Sequence, residues 1–165
     1  MPETTPQATL RVKSSRFGEV EVPADRVITL PQGMIGFPQL RRYVLIRHRE
    51  DSPFFWLQSL EAAELAFVVV NPLLFDTAYK FTLSNSETKL LNAEDPTHIQ
   101  VWVVVTIPAG KPDKMTANLK APVVINLQNR QAAQIILDDA KYSVRQPLAS
   151  QGAGGAQGGN QEETA

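Results

Sequence analysis

The chain has 165 residues, a formal net charge of -1 and no cysteine. This charge balance argues against a dominant phosphate-binding surface, and the lack of cysteine excludes thiolate catalysis, disulfide bonds and cysteine-based zinc sites. Neither a basic nor an apolar signal region is visible at the start, and no apolar run approaches the roughly 20 residues that span a bilayer. We therefore expect a cytoplasmic protein that does not contact a membrane.

The composition changes abruptly after Leu148. Residues 149–165 read ASQGAGGAQGGNQEETA and hold more than half of the chain's 9 glycines, but no large apolar side chain. Such a segment buries too little apolar surface to offset the entropy lost on ordering. We therefore predict a single folded domain over residues 8–148 and a disordered, glycine-rich tail over residues 149–165.

Strand patterns dominate the predicted domain. Phe17–Val22 alternates apolar and polar residues, as expected of a strand with one face on a core. Further short segments are rich in β-branched or aromatic residues and bounded by turn residues: Tyr43–Arg47, Phe54–Ser59, Ala66–Val70, Tyr79–Leu83 and Ile99–Ile107. The last is apolar enough to be buried on both faces, which predicts a central position.

These strands predict a mainly β fold, a small antiparallel β-barrel or barrel-like sandwich with one or two short helices. Closure would remove exposed strand edges that invite pairing with other chains. The predicted helix begins at Ser84, since Glu87 three residues later completes a capping box, and it runs for about two turns before Asp95-Pro96. Gln131–Asp138 fits a helix or a strand, and its polar end favours a strand entering a turn.

The residue types that carry catalysis or bind metals are sparse and scattered. His48 and His98 lie in separate segments without metal-ligand spacing, and the carboxylate pairs Glu61/Glu64 and Asp138/Asp139 lie beside predicted turns. Gly33 and Gly36 match no phosphate-binding fingerprint and fit a turn with positive φ or a close backbone approach. We therefore predict no catalytic, metal or cofactor site.

Five segments, in a fixed order, carry a family resemblance. They are Gly33, Gly36 and Phe37 in QGMIGF, Leu57–Ser59 in WLQSL, FVVVNP at Phe67–Pro72, VVVTIP at Val103–Pro108, and the stretch Met115–Leu148 that begins MTANLKAP. Together they resemble the FliW family of bacterial flagellar assembly factors over nearly everything between Phe17 and Leu148. No single segment is diagnostic, but their order and spacing are specific.

The resemblance implies a non-enzymatic, monomeric regulator with two protein partners. FliW proteins bind the translational repressor CsrA and relieve its repression of flagellin messenger RNA. They also bind flagellin, which couples the flagellin level to its own synthesis. The resemblance implies no cofactor and no direct contact with nucleic acid.

Strand ends and loops are the best candidates for recognition, because loops carry binding residues on a rigid scaffold. The candidates are Asn71 and Pro72, Ile107 and Pro108, and Thr116, Ala117 and Asn118. The simpler interpretation gives the asparagines a structural role, as caps that hydrogen-bond their own backbone.

Two other classes of function stay open at this stage. A small barrel can bind a flavin or a sugar, although the chain lacks a phosphate loop. A barrel can also bind single-stranded RNA on exposed aromatic rings, here Tyr43, Phe54, Phe55 and Tyr79. The near-neutral charge and the low aromatic content of 7% weigh against the second alternative.

Overall fold

Seven strands close into a barrel in the structure, a computed structural model that describes residues 9–47, 49–93, 96–138 and 140–148. The predicted tail and His48 lie outside these ranges. The strands are β1 (Thr9–Ser14), β2 (Gly18–Pro23), β3 (Ile28–Thr29), β4 (Arg42–Arg47), β5 (Phe55–Ser59), β6 (Ala66–Val70), β7 (Ile99–Thr106), β8 (Thr116–Ala117), β9 (Val123–Asn126), β10 (Gln131–Gln134) and β11 (Gln146–Pro147). Neighbours around the barrel are β7, β6, β5, β4, β3, β10 and β9, and β9 pairs again with β7.

The mainly β prediction is confirmed, and the alternative between barrel and sandwich resolves to a closed barrel. β7 lies centrally as predicted, because it pairs with β6, β8 and β9. The predicted strands at Phe17–Val22, Tyr43–Arg47, Phe54–Ser59 and Ala66–Val70 match β2, β4, β5 and β6 within one residue at each end. Gln131–Asp138 is a strand only as far as Gln134.

Two features of the sheet differ from the prediction. The barrel is not wholly antiparallel, because β3 and β10 pair in parallel through Thr29 and Gln131. Tyr79–Leu83 joins no sheet, so its assignment as a strand is wrong. After β6 the chain turns away from the sheet at Pro72, whose nitrogen carries no hydrogen to donate to a ladder.

Three apolar clusters stabilise the fold. The barrel interior is packed by residues such as Leu57, Val69 and Ile125, all buried. The hairpin of β1 and β2 covers the outside of the barrel, where Val12 and Val22 contact Val44. A second outer cluster lies between the barrel and the chain that follows β6 and β10. The described strands are therefore covered on both faces over much of the barrel.

Val103 belongs to the outer cluster and has no exposed surface. Val103→Ala and Val105→Ala should each lower the free energy of unfolding by about 1–3 kcal/mol, because buried methyl groups are lost and a cavity stays behind. Chemical denaturation measures this loss. Near-neutral effects at both positions would contradict a central, well-packed β7.

The predicted helix is confirmed as α1 (Asn85–Leu91). Ser84 Oγ accepts a hydrogen bond from the Glu87 backbone N–H, and the Glu87 carboxylate accepts one from the Ser84 N–H, so the capping box is complete. At the other end, the Asn126 side-chain amide donates to the backbone carbonyls of Leu91 and Asn92. In the described ranges no helix is long and apolar enough to cross a membrane.

The turn after β5 depends on the residues of the WLQSL motif. The buried Gln58 amide lies within hydrogen-bond distance of the Ser59, Ala63 and Leu65 carbonyl oxygens. Ser59 Oγ accepts from the backbone N–H groups of Glu61 and Ala62. The motif is therefore explained by turn structure without a contact to a partner.

Glu61 joins this turn to β4. Its carboxylate accepts hydrogen bonds from the Arg41 N–H at 2.7 Å and the Arg42 N–H at 3.3 Å. The Arg41 hydrogen bond is the main cause that lowers the pKa of Glu61 below its ordinary value. A lowered pKa in the folded state means that this carboxylate stabilises the fold above its unfolded-state pKa, and that the contribution is lost as the pH falls through the folded-state value.

We therefore expect Glu61→Gln to reduce stability at pH 7 and to have a smaller effect at pH 3. Urea denaturation at both pH values measures the difference. Glu64→Gln is the control, because the Glu64 carboxylate accepts no hydrogen bond in the structure as described. An equal loss for Glu61→Gln at the two pH values would show that the ionised carboxylate is not the stabilising group.

Candidate functional site

The sequence-predicted residues at the end of β7 are partly accessible. Ile107 is 42% exposed and Pro108 is half-buried. They follow Thr106, which pairs with Thr116 of β8. Ile107 is thus an exposed apolar side chain at the end of the central strand, as a recognition residue requires.

Thr116 and Ala117 do not lie on an exposed loop, so that part of the expectation is wrong. They form β8, between β7 on one side and β11 on the other, and are 4% and 0% exposed. A two-residue strand leaves no periodic pattern in the sequence, and the strand that covers it comes from about 30 residues later.

The two predicted asparagines cap turns. Asn118 Oδ1 accepts from the backbone N–H groups of Lys120 and Ala121, both at 3.1 Å. Asn71 Oδ1 accepts from the Leu73 N–H at 2.9 Å, and the neighbouring Pro72 is buried. The structural interpretation therefore accounts for both oxygens, and Asn71 remains exposed beside its turn.

These candidates do not form one patch. The register pairs Val70 with Val103 and Val68 with Val105, so Asn71 lies level with Trp102, and Ile107 lies level with the first residue of β6 at its other end. At about 3.3 Å per residue the two positions are roughly 17 Å apart along β7. A partner that contacts both must cover much of the length of the strand.

Tyr79–Leu83 crosses the outside of the barrel, and we call it the unpaired segment. Its side chains alternate as in a strand: Tyr79 is buried, Phe81 and Leu83 are half-buried, and Lys80 and Thr82 are exposed. Side chains hold it in place, because the Tyr79 hydroxyl donates to the Leu119 carbonyl at 2.7 Å, and the Tyr142 hydroxyl bonds both the N–H and the carbonyl of Lys80 at 3.1 Å. Burial raises the pKa of Tyr79.

Two grooves flank the unpaired segment. The first, which we call the β7 groove, has a volume of about 510 Å³ and is largely apolar. Ile99 and Val101 of β7, Phe81 and Leu83 of the unpaired segment, and Leu73 line it. The second groove, about 610 Å³, lies between the same segment and residues 135–141 and is more polar. Both volumes fall in the range of common binding sites.

The two grooves differ in charge. Lys80 is the one charged residue that lines the β7 groove within the described part of the chain, and its side chain has no ion pair there. The second groove contains Lys80 and Lys141 together with Glu87 and Asp138. A ligand in the β7 groove therefore meets apolar surface and a single positive charge.

Several exposed apolar residues near the grooves were not predicted as site residues. Leu73 is 49% exposed, Leu74 is 59% exposed and Ile136 is 64% exposed. The sequence does carry a signal for the first two, since large apolar residues directly follow the predicted turn at Asn71-Pro72. The signal for Ile136 is its place in a strand-like alternation, because its neighbours Ile135 and Leu137 are both buried.

Two of the four aromatic rings that were expected to stack on RNA bases are buried. Tyr43 and Tyr79 are 0% and 5% exposed, so they cannot stack on bases. Burial, together with the charge of Glu61, raises the pKa of Tyr43 to about 12. Phe55 is half-buried, its ring packs edge-on against Trp102, and the Arg47 guanidinium lies 4.8 Å from its centre.

Across the described ranges, no three histidine, aspartate or glutamate side chains converge as metal ligands.

The geometry defines a small closed-barrel protein with a largely apolar groove beside its central strand. Residues 11–148 match the family described as FliW protein. The chain is 43% identical over 135 residues to a flagellar assembly factor FliW from Ruminiclostridium cellulolyticum, covering 81% of this chain and 90% of the relative. It is 42% identical over 137 residues to one from Bdellovibrio bacteriovorus, covering 83% and 78% of the two chains. The chain belongs to the FliW family.

Structural comparison identifies the same family. A crystal structure of the flagellar assembly factor FliW superposes with a TM-score of 0.77 and 28% sequence identity, over 84% of this chain and 96% of that one. The family resemblance inferred from the sequence motifs is thereby confirmed.

Proposed function

We propose that this chain acts in flagellar assembly as a cytoplasmic, monomeric protein that binds both the translational repressor CsrA and flagellin. Binding to CsrA would relieve repression of flagellin messenger RNA, and binding to flagellin would withdraw the protein from CsrA. The observation that carries the proposal is the match to relatives named flagellar assembly factor FliW over most of their length. An apolar groove and exposed apolar side chains beside it are consistent with recognition of proteins.

The two binding reactions must be coupled for the proposal to describe regulation. If flagellin weakens binding to CsrA by some factor, then CsrA weakens binding to flagellin by the same factor, because the coupling free energy is shared. Calorimetric titration of the purified chain with each partner, alone and in the presence of the other, tests both the binding and this reciprocity. Absence of binding to either partner would reject the proposal.

The predicted recognition residues can be tested in the same titrations. Ile107→Ala should weaken binding to at least one partner by about 1–2 kcal/mol, the loss expected when an apolar interface side chain is truncated. Asn118→Asp keeps an oxygen for the two N–H groups that Asn118 caps, and should cost about 1–3 kcal/mol if a partner desolvates the new charge.

Leu127→Ala is the matched control for Ile107→Ala. Leu127 is 39% exposed, and its backbone bonds to His98 at the opposite end of β7. Circular dichroism establishes that each variant is folded. Unchanged affinity for both partners across Ile107→Ala, Asn71→Ala and Asn118→Asp would place the site elsewhere and leave the two asparagines with turn capping alone.

A further inference from the structure

The unpaired segment has the side-chain alternation of a strand, but it pairs with none of the described strands. Within the part of the chain that the structure describes, the backbone N–H and C=O groups of Phe81, Thr82 and Leu83 form no hydrogen bond. Backbone groups of this kind are usually paired in folded proteins, and an open row of them is a template for pairing with another strand. Backbone groups of successive residues in a strand point to opposite edges, so Phe81 and Leu83 present theirs away from the edge on which the Tyr142 hydroxyl bonds Lys80.

The surroundings of the segment favour an extended peptide as the ligand. Beside Phe81 and Leu83 lies the β7 groove, which Ile99, Val101 and Leu73 also line. Side chains of a strand alternate between its two faces. Every second side chain of a strand added here would therefore point into apolar surface, while its backbone met the free groups of the segment.

The charge of Lys80 restricts which extended peptides fit the groove. Lys80 borders the groove, is exposed, and has no ion pair in the described ranges. The nearby Glu87 carboxylate is engaged in the capping box of α1. A carboxylate on the incoming peptide would complement Lys80, whereas a basic peptide would be repelled.

We propose that the β7 groove binds an extended segment of a partner protein by strand addition. The segment pairs with the main chain of Phe81 and Leu83, places apolar side chains over Ile99 and Val101, and sets a carboxylate against Lys80. Main-chain hydrogen bonds supply affinity in this mode, and the groove and the charge supply specificity. The identity of the partner, CsrA or flagellin, rests on the proposed function.

Amide hydrogen exchange of the full chain, resolved by residue, tests the contact directly. In the free protein the amides of Phe81, Thr82 and Leu83 should exchange rapidly, since none is hydrogen-bonded. Saturation with one of the two partners, CsrA or flagellin, should slow exchange of the Phe81 or the Leu83 amide by about tenfold or more. The Thr82 amide lies on the other edge and is the internal reference. This measurement needs no variant and does not depend on the folding of a mutant.

A matched pair of variants tests the same contact by affinity. Leu83→Pro removes an N–H on the edge that faces the groove, and Leu83→Ala keeps that N–H while truncating the same side chain. The partner should bind Leu83→Pro about tenfold more weakly than Leu83→Ala. Lys80→Glu should also weaken binding, while Lys13→Glu on the distant β1 should not.

The outcomes separate the two proposals. If CsrA or flagellin binds the original chain but leaves the Phe81 and Leu83 amides unprotected and binds Leu83→Pro as tightly as Leu83→Ala, strand addition is overturned and the proposed function stands. If neither protein binds the original chain, the proposed function fails and strand addition by these partners fails with it. Protection of Phe81 or Leu83, together with the expected loss of affinity in Leu83→Pro and Lys80→Glu, supports the proposal.

Discussion

Replacement of Gly33 by alanine is expected to lower the free energy of unfolding by about 2–5 kcal/mol. Gly33 has a φ of +70°, and a Cβ atom at this position would lie 2.3 Å from the Phe37 carbonyl oxygen and 2.6 Å from Pro38 Cα. The positive φ costs energy in any residue with a side chain, and the clash adds to it because the opposing atoms belong to the backbone.

Gly110→Ala separates these two costs. Its φ of +73° is nearly the same, but no heavy atom lies within 4 Å of the added Cβ. We expect a loss of about 1–2 kcal/mol from the backbone conformation alone. Urea denaturation of both variants gives the comparison, and equal losses would show that the loop around Gly33 relaxes without cost.

The second large effect is expected for Leu57→Ala, which should cost about 2–5 kcal/mol. Leu57 is 1% exposed and packs in the barrel interior with Tyr43 and Val69. Opposing walls of a closed barrel cannot approach freely to fill the space left by the deleted side chain. The loss should therefore lie near the upper part of this range.

Leu73→Ala is the control for Leu57→Ala, since the same side chain is 49% exposed at that position. Its effect on stability should stay within about 0.5 kcal/mol. Denaturant titration again measures both variants. A small loss of unfolding free energy for Leu57→Ala would mean that the interior relaxes to fill the cavity. The barrel would then deform more easily than its packing indicates.

Local sequence patterns predicted those parts of the fold that local physics determines. Period-two alternation located β2, and the apolar run located β7 in the middle of the sheet. The capping box located α1, because Ser84 and Glu87 satisfy each other's backbone groups without help from distant residues. The positive φ values of Gly33 and Gly36 confirm the turn geometry expected there.

Features that depend on distant parts of the chain could not be predicted in the same way. β3 and β8 have two residues each, too few for any periodicity, and each exists because strands from elsewhere in the chain lie beside it. Phe37, between β3 and β4, is 38% exposed, and its ring packs edge-on against Phe67 of the distant β6.

The candidate site, too, could be predicted only where nearby residues determine it. Ile107 was identified from its position at a strand exit, and the structure leaves it accessible. Tyr79–Leu83 has the alternation of a strand, yet whether a strand is paired depends on what lies beside it. The hydroxyl of Tyr142, about 60 residues away, bonds the backbone of Lys80 where a neighbouring strand would have done so.

The parallel pairing of Thr29 with Gln131 has a consequence for how the protein is made. The two residues are roughly a hundred positions apart, and such distant contacts slow folding because a long loop must close before they form. A ribosome adding about 5–20 residues per second needs roughly 5–20 s to pass from one to the other. During that interval β3 has no partner on the side where β10 pairs in the finished fold, and the nascent chain presents an open sheet edge.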